Sequence, residues 1–153
     1  MSRAYIALGS NLGDREGTIR GALDELRRRP GIEVVAVSTL VDTEPVGVVD
    51  QPRFLNGVAA LETGLSAGDL LAVLLEVERR FGRVRAGAVP QGPRTLDLDL
   101  LLYGDAEIDE PGLVVPHPRL HEREFVLGPL AEVAPGLEVP GKGAVETLRA
   151  RLH

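Results

Sequence analysis

Cysteine is absent from this chain of 153 residues, and so is tryptophan. Without thiols there is no disulfide framework, no thiolate nucleophile and no cysteine-held zinc. Aromatic residues number five, two tyrosines and three phenylalanines, too few for a sheet that stacks nucleic-acid bases. Lys142 is the only lysine. The other basic residues are arginine, a bias that fits heat adaptation or a GC-rich genome equally. No apolar segment is long enough to span a bilayer. Met1-Ser2-Arg3-Ala4-Tyr5 leads almost directly into a strand-like run, with no signal-peptide core, which predicts a cytoplasmic protein. The formal net charge of −6 argues against a general nucleic-acid or anionic-membrane binder, so a positive site must be local.

What the chain does have is apolar bulk. A hydrophobic share of 44% predicts one core and a single domain over residues 1–153. Its most unusual stretch is Gly92-Pro93-Arg94-Thr95-Leu96-Asp97-Leu98-Asp99-Leu100-Leu101-Leu102-Tyr103-Gly104, where two acids interrupt a run of leucines. In a strand, residues two apart share a face, so Asp97 and Asp99 project side by side about 6–7 Å apart at Cα, while Leu98 and Leu100 point into a core. Carboxylates taken out of water need a cation beside them. Magnesium suits the pair, because it is held by one or two carboxylates with phosphate oxygens and water. An isolated Asp-x-Asp is often just the wet face of an edge strand; the leucines that follow argue against that.

Taken in order, residues 5–8 read as a buried strand and residues 9–14 as a turn with Asp14 as helix N-cap. Ile19, Leu23 and Leu26 fall on one helical face, which Pro30-Gly31 ends. The glycine turn matches neither nucleotide fingerprint. Residues 32–39 alternate as a second strand, and residues 41–52 form a long connection of the kind that carries function. Residues 54–62 are a third strand. Ser66 caps a second helix carrying Leu70, Leu71, Leu74, Val77, Glu78 and Phe81, and a loop over residues 86–93 leads to the aspartate strand. Strand, helix, strand, strand, helix, strand is the ferredoxin-like β-α-β-β-α-β order: an α+β fold, an antiparallel sheet with helices on one face. Beyond Gly104, residues 108–115 supply a short strand or hairpin. A C-terminal helical extension follows: residues 125–133, interrupted near Gly128-Pro129, and residues 143–152.

Chemistry collects near the second helix. Arg83, Arg85 and Arg94 approach the aspartates in an otherwise acidic chain, and arginine forks match phosphate oxygens. Singly, each fits an ordinary surface ion pair; together with Asp97 and Asp99 they fit a polyphosphate clamp. His117 stands between two prolines, as rigid-turn histidines do, yet Arg119 and Arg123 beside it allow a ligand role. Phe54 and Phe125 flank elements that can line a pocket, with Asn56 on the face of Phe54 and Thr43 before it. Rings with an amide and a hydroxyl at the rim suit a flat, hydrogen-bonding heterocycle, although a strand phenylalanine is more often core.

Six strings together, Ala4-Tyr5-Ile6-Ala7-Leu8-Gly9-Ser10-Asn11-Leu12-Gly13, Thr43-Glu44-Pro45-Val46-Gly47, Gln51-Pro52-Arg53-Phe54-Leu55-Asn56, Gly82-Arg83-Val84-Arg85, Gly92-Pro93-Arg94-Thr95-Leu96-Asp97-Leu98-Asp99 and Val115-Pro116-His117-Pro118-Arg119, resemble the 6-hydroxymethyl-7,8-dihydropterin pyrophosphokinases of folate biosynthesis. The resemblance implies transfer of the β,γ-pyrophosphate of ATP to the hydroxymethyl group of the reduced pterin, leaving AMP. It implies Asp97 and Asp99 holding two magnesium ions, and Arg83 and Arg94 steadying the transferred group. By the same resemblance Arg85, His117 and Arg123 contact ATP, with Glu78 and Leu100 near the nucleoside. Phe54 and Phe125 sandwich the pterin, whose edge Thr43, Pro45, Val46 and Asn56 define. A monomer with two loop lids, residues 46–51 and 86–91, is also implied. Phe54 stands where the family often has tyrosine, Leu75 where it has a polar residue, and the second loop lacks the family's tryptophan. Two other classes fit the element order: an RNA-binding module, opposed by the acidic balance and missing aromatics, and a non-catalytic small-molecule sensor, which would release no AMP.

Overall fold

Ala4, Ile6 and Leu8 alternate with Tyr5 and Ala7, so the strand they form has two apolar faces and belongs in the middle of a sheet. That strand, β1 (Ser2–Ser10), is central in a computed structural model that describes residues 1–44, 53–81 and 96–153. It pairs antiparallel with β4 (Phe54–Thr63) on one side and β5 (Asp97–Tyr103) on the other. β2 (Ile32–Val37) pairs with the far side of β4, and the order β2-β4-β1-β5 is the ferredoxin-like order expected. Arg83, Arg85, Arg94, Pro45 and Val46, and with them both loops expected to act as lids, lie outside the described residues.

α1 (Arg15–Arg28) and α2 (Ala67–Arg80) make the two crossovers. Asp14 caps α1 by accepting the Gly17 N–H, and Ser66 caps α2 by accepting that of Asp69, each satisfying a donor that the helix itself leaves open. Gly31, at φ +82°, makes the left-handed turn out of α1 toward β2. Ile19, Leu23 and Leu26 of α1, with Leu70, Leu74 and Val77 of α2, bury against Ile6, Leu8, Leu98 and Leu100.

The expectation of helices on one face alone is corrected. α3 (Glu124–Val133) and α4 (Val145–Ala150) cover the opposite face, where Val126, Leu127, Leu130 and Leu148 pack on Tyr5, Val58, Ala60 and Leu102. The cause lies in β1 and β4, which are apolar at both parities and would otherwise expose one face. The break expected near Gly128-Pro129 is absent. Pro129 sits inside a continuous α3, buried with Val126, Leu127 and Leu130 against the sheet, and that burial outweighs the missing N–H.

Local boundaries differ as well. β1 runs on through Gly9 and Ser10 instead of ending at Leu8, because both residues pair with Asn56 and Leu55 of β4. The connection expected from residue 41 begins as a strand, β3 (Val41–Thr43), laid against the start of β4. The hairpin beyond Gly104 is β6 (Ile108–Glu110) with β7 (Leu113–Val115), and a further small pair, β8 (Glu138–Val139) with β9 (Gly143–Ala144), precedes a shorter α4 than expected. β5 carries a bulge. Tyr5 faces Leu102 but Ile6 faces Leu100, so Leu101 is an extra residue, and Leu101 and Leu102 both join the core beneath α3. Among the described residues no helix is long and apolar enough to cross a membrane.

Candidate functional site

Asp97 and Asp99 lie at the start of β5, on the face that α3 covers farther along. Opposite them β1 offers Gly9 and Ala7. Leu98 and Leu100 point the other way and are 2% and 6% exposed, as the alternation requires. The expectation that the carboxylates are themselves buried is corrected: Asp97 is half-buried and Asp99 exposed. Leu98 and Leu100 bury the opposite face, while on the aspartates' own face the glycine and alanine of β1 are too small to cover them.

This small-residue floor is the origin of a pocket. A Cβ on Gly9 would stand 3.0 Å from Asn56 Oδ1 and 3.9 Å from Asp97 Cβ, so the strand interior holds a glycine where neighbours close in from both sides. The pocket above it has a volume of about 140 Å³, close to the roughly 150 Å³ of an engineered cavity that takes benzene. One small ring system fits. Thr43, Phe54 and Asn56 line one side, Asp97, Asp99 and His117 the other, and Arg123, Phe125 and Val126 come from the start of α3.

Each wall has a local cause. Thr43 faces Phe54 across the β3–β4 pair, and Asn56 Nδ2 donates to Thr43 Oγ1 at 2.5 Å. With its amide nitrogen held there, Asn56 turns Oδ1 over Gly9 as an acceptor. The Arg123 guanidinium sits 5.6 Å from the centroid of the Phe125 ring, a cation–π distance that keeps charge and ring together. His117 is tied to the site strand by its N–H, which donates to Leu101 O at 2.9 Å. Its Nδ1 accepts the Arg119 N–H at 3.1 Å, so the neutral ring carries its proton on Nε2. Burial pushes the His117 pKa below the ordinary histidine value; Asp99 opposes that, and Arg123 and Arg119 reinforce it.

The structure thus gathers Thr43, Phe54, Asn56, Asp97, Asp99, His117, Arg123 and Phe125 around one cavity. Glu78 and Leu100 are elsewhere, buried on the α1–α2 side of the sheet. The Glu78 carboxylate accepts the Leu98 N–H at 2.7 Å, midway between the two aspartates. Residues that sequence reasoning missed are Ala7 and Gly9 on the floor, with Leu101, Val126 and Glu44 in the walls. The signal for Gly9 was a glycine continuing a strand; the others carry none.

No group of three or more His, Cys, Asp or Glu side chains that could hold a metal occurs among the described residues. Two carboxylates over a floor of glycine and alanine, which offers no further side-chain ligand, fit an ion that keeps most of its coordination for water and phosphate, as magnesium does. They do not fit a closed structural site.

Residues 5–135 match the family model described as 7,8-dihydro-6-hydroxymethylpterin-pyrophosphokinase. A Pseudomonas aeruginosa protein named 2-amino-4-hydroxy-6-hydroxymethyldihydropteridine pyrophosphokinase is 50% identical over 151 residues, covering 98% of this chain and 92% of its own. A Bacillus subtilis protein of the same name is 46% identical over 135 residues, covering 88% and 80%. The fold is similar to that of the wild-type HPPK-DHPS protein of Plasmodium falciparum solved with pterin and p-hydroxybenzoate, at a TM-score of 0.74 and 14% identity over 98% of this chain and 43% of that one.

Proposed function

The chain belongs to the 7,8-dihydro-6-hydroxymethylpterin-pyrophosphokinase family, and on that premise we propose how its residues divide the work of the reaction. It is an enzyme, a transferase of the pyrophosphokinase step in folate synthesis. The hydroxymethyl oxygen of 6-hydroxymethyl-7,8-dihydropterin attacks the β-phosphorus of ATP, the bond from that phosphorus to the α,β-bridging oxygen breaks, AMP leaves and the hydroxyl proton is lost. Phosphoryl chemistry of this kind needs positioning and charge neutralisation more than covalent help.

The observation that carries the reading is one pocket holding two ring walls, an amide edge and a carboxylate pair. Phe54 and Phe125 take the faces of the pterin. Asn56 Oδ1 accepts from its ring N–H groups, with Thr43, Pro45 and Val46 completing that edge. Asp97 and Asp99 would hold magnesium, two ions by the family resemblance, and the metal would supply charge neutralisation for the triphosphate and help to place the attacking hydroxyl. The exposure of Asp99 beside a half-buried Asp97 supports this, because a metal with phosphate ligands needs an open side. Arg83 and Arg94 steady the transferred group; Arg85 and Arg123 bind phosphate oxygens, and His117 offers its Nε2–H to the nucleotide as a neutral donor. Glu78 and Leu100 bear on the nucleoside end through the body of β5. The protein acts as a monomeric single domain in the cytoplasm and uses neither nucleic acid nor membrane.

Incubation with Mg-ATP and the reduced pterin, followed by chromatography, should release AMP and pterin diphosphate in equal amounts. Asp97→Ala should abolish AMP release and leave the circular dichroism spectrum unchanged. Full activity in that variant would sink the metal assignment, and pterin binding without AMP from the parent protein would point to a sensor.

A further inference from the structure

Thr43 and Asn56 form the amide edge of the pocket, yet β3, which carries Thr43, is only three residues long and, among the described residues, pairs only with the first residues of β4. A strand this short is held weakly by its ladder alone. Its middle residue, Asp42, points away from the pocket, and there it is gripped by two arginines. Arg53 Nε donates to Asp42 Oδ1 at 2.9 Å and Arg53 Nη2 to the Asp42 backbone oxygen at 3.3 Å. Arg15, the first residue of α1, reaches Asp42 Oδ2 at 3.4 Å and donates to the Arg53 carbonyl at 3.0 Å. Arg53 also pairs with Glu44. We propose that Arg15, Asp42 and Arg53 form a positioning device that sets the amide edge of the acceptor pocket from outside it.

The three residues join the pieces that surround the pocket. α1 begins just after the strand end that carries Gly9, β3 carries Thr43, and Arg53 immediately precedes Phe54. Drawing Asp42 toward Arg15 and Arg53 fixes β3 against β4, which fixes the Thr43 hydroxyl under the Asn56 amide and so the direction of Asn56 Oδ1. Bonds from Arg15, then from Arg53, hold the Asp42 carboxyl below its usual range, as expected for a carboxylate shared by two guanidinium groups. The pair partners are about half exposed, 47% for Arg53 and 48% for Asp42, so the device is a modest adjuster and the effect to look for is a few-fold.

This inference rests on reading the pocket as the pterin site, and the test separates the two. Binding of 6-hydroxymethylpterin is measured by calorimetry with magnesium and a non-hydrolysable ATP analogue present, and binding of the analogue is measured separately. Asp42→Asn should weaken pterin binding about three- to five-fold at low salt and leave analogue binding within about two-fold, with kcat at saturating pterin unchanged. Arg53→Gln should do the same. In an Asn56→Ala background Asp42→Asn should have almost no further effect, because both act through one amide. With magnesium and the analogue kept saturating at every salt concentration, raising the salt should weaken pterin binding by the parent protein more than by Asp42→Asn; the pterin is uncharged, so the difference between the two proteins reports screening of the Asp42 ion pairs. Unchanged pterin binding in Asp42→Asn, or independent effects of Asp42→Asn and Asn56→Ala, overturns the proposal. A parent protein that binds no pterin overturns the pocket reading instead.

Discussion

The carboxylate of Glu78 accepts the backbone N–H of Leu98 at 2.7 Å inside the protein, tying α2 to the one residue that separates the two site aspartates. Glu78 is 3% exposed, and a buried donor left without its acceptor costs about 1–3 kcal/mol. Glu78→Ala should therefore lower unfolding free energy by about 1–3 kcal/mol, while Glu78→Gln, which keeps an acceptor oxygen, should lose much less. Urea unfolding of the three proteins checks this. Equal losses would mean that the charge, not the bond to Leu98, is what matters.

Gly9 predicts a selective defect. A methyl at this position meets Asn56 Oδ1 at 3.0 Å, and the branched side chain of valine also covers the floor. Gly9→Val should raise the KM for the pterin about ten-fold or more, a size typical of a misplaced binding group, and disturb the KM for ATP far less. Steady-state kinetics with each substrate varied in turn decide it; a larger change for ATP would place the pterin elsewhere.

His117 predicts a pH dependence with a definite sign. Burial, opposed by Asp99 and aided by Arg123 and Arg119, lowers its pKa below the ordinary 6.5. The unfolded chain then binds more protons than the folded one between the two values. Stability from this residue is complete above about pH 6.5 and is lost as pH falls through the folded value. Urea midpoints between pH 5 and 8 should fall on the acid side in the parent protein and fall less in His117→Gln. Parallel profiles would remove His117 from the account.

Much of this molecule could be read from residue types. Asp14 and Ser66 announced the starts of α1 and α2, and the leucine spacing gave the buried faces of those two helices, because those features depend only on neighbours in the chain. Asp97 and Asp99 stood out by their setting among leucines, although the same setting misled about their burial: alternation tells which face a residue takes, not what covers it. The second helical layer escaped for a related reason. Tyr5, Val58 and Ala60 signal an apolar face without saying which later segment will pack on it. Gly9 looked like the beginning of a turn, since its partners Asn56 and Asp97 lie far along the chain, and the grip on Asp42 brings in Arg15 from 27 positions away and Arg53 from 11.

The bulge at Leu101 bears on how such a pocket can change. Asp97 and Asp99 keep their places opposite Gly9 and Ala7, and Leu102 keeps its place opposite Tyr5, while the extra residue between them contributes a side chain to the pocket wall. A strand with one surplus residue at this point can lose or gain it without shifting either end. The cavity can therefore be reshaped by a change of length at a single site, an evolutionary route that leaves the acidic pair and the core beyond it untouched.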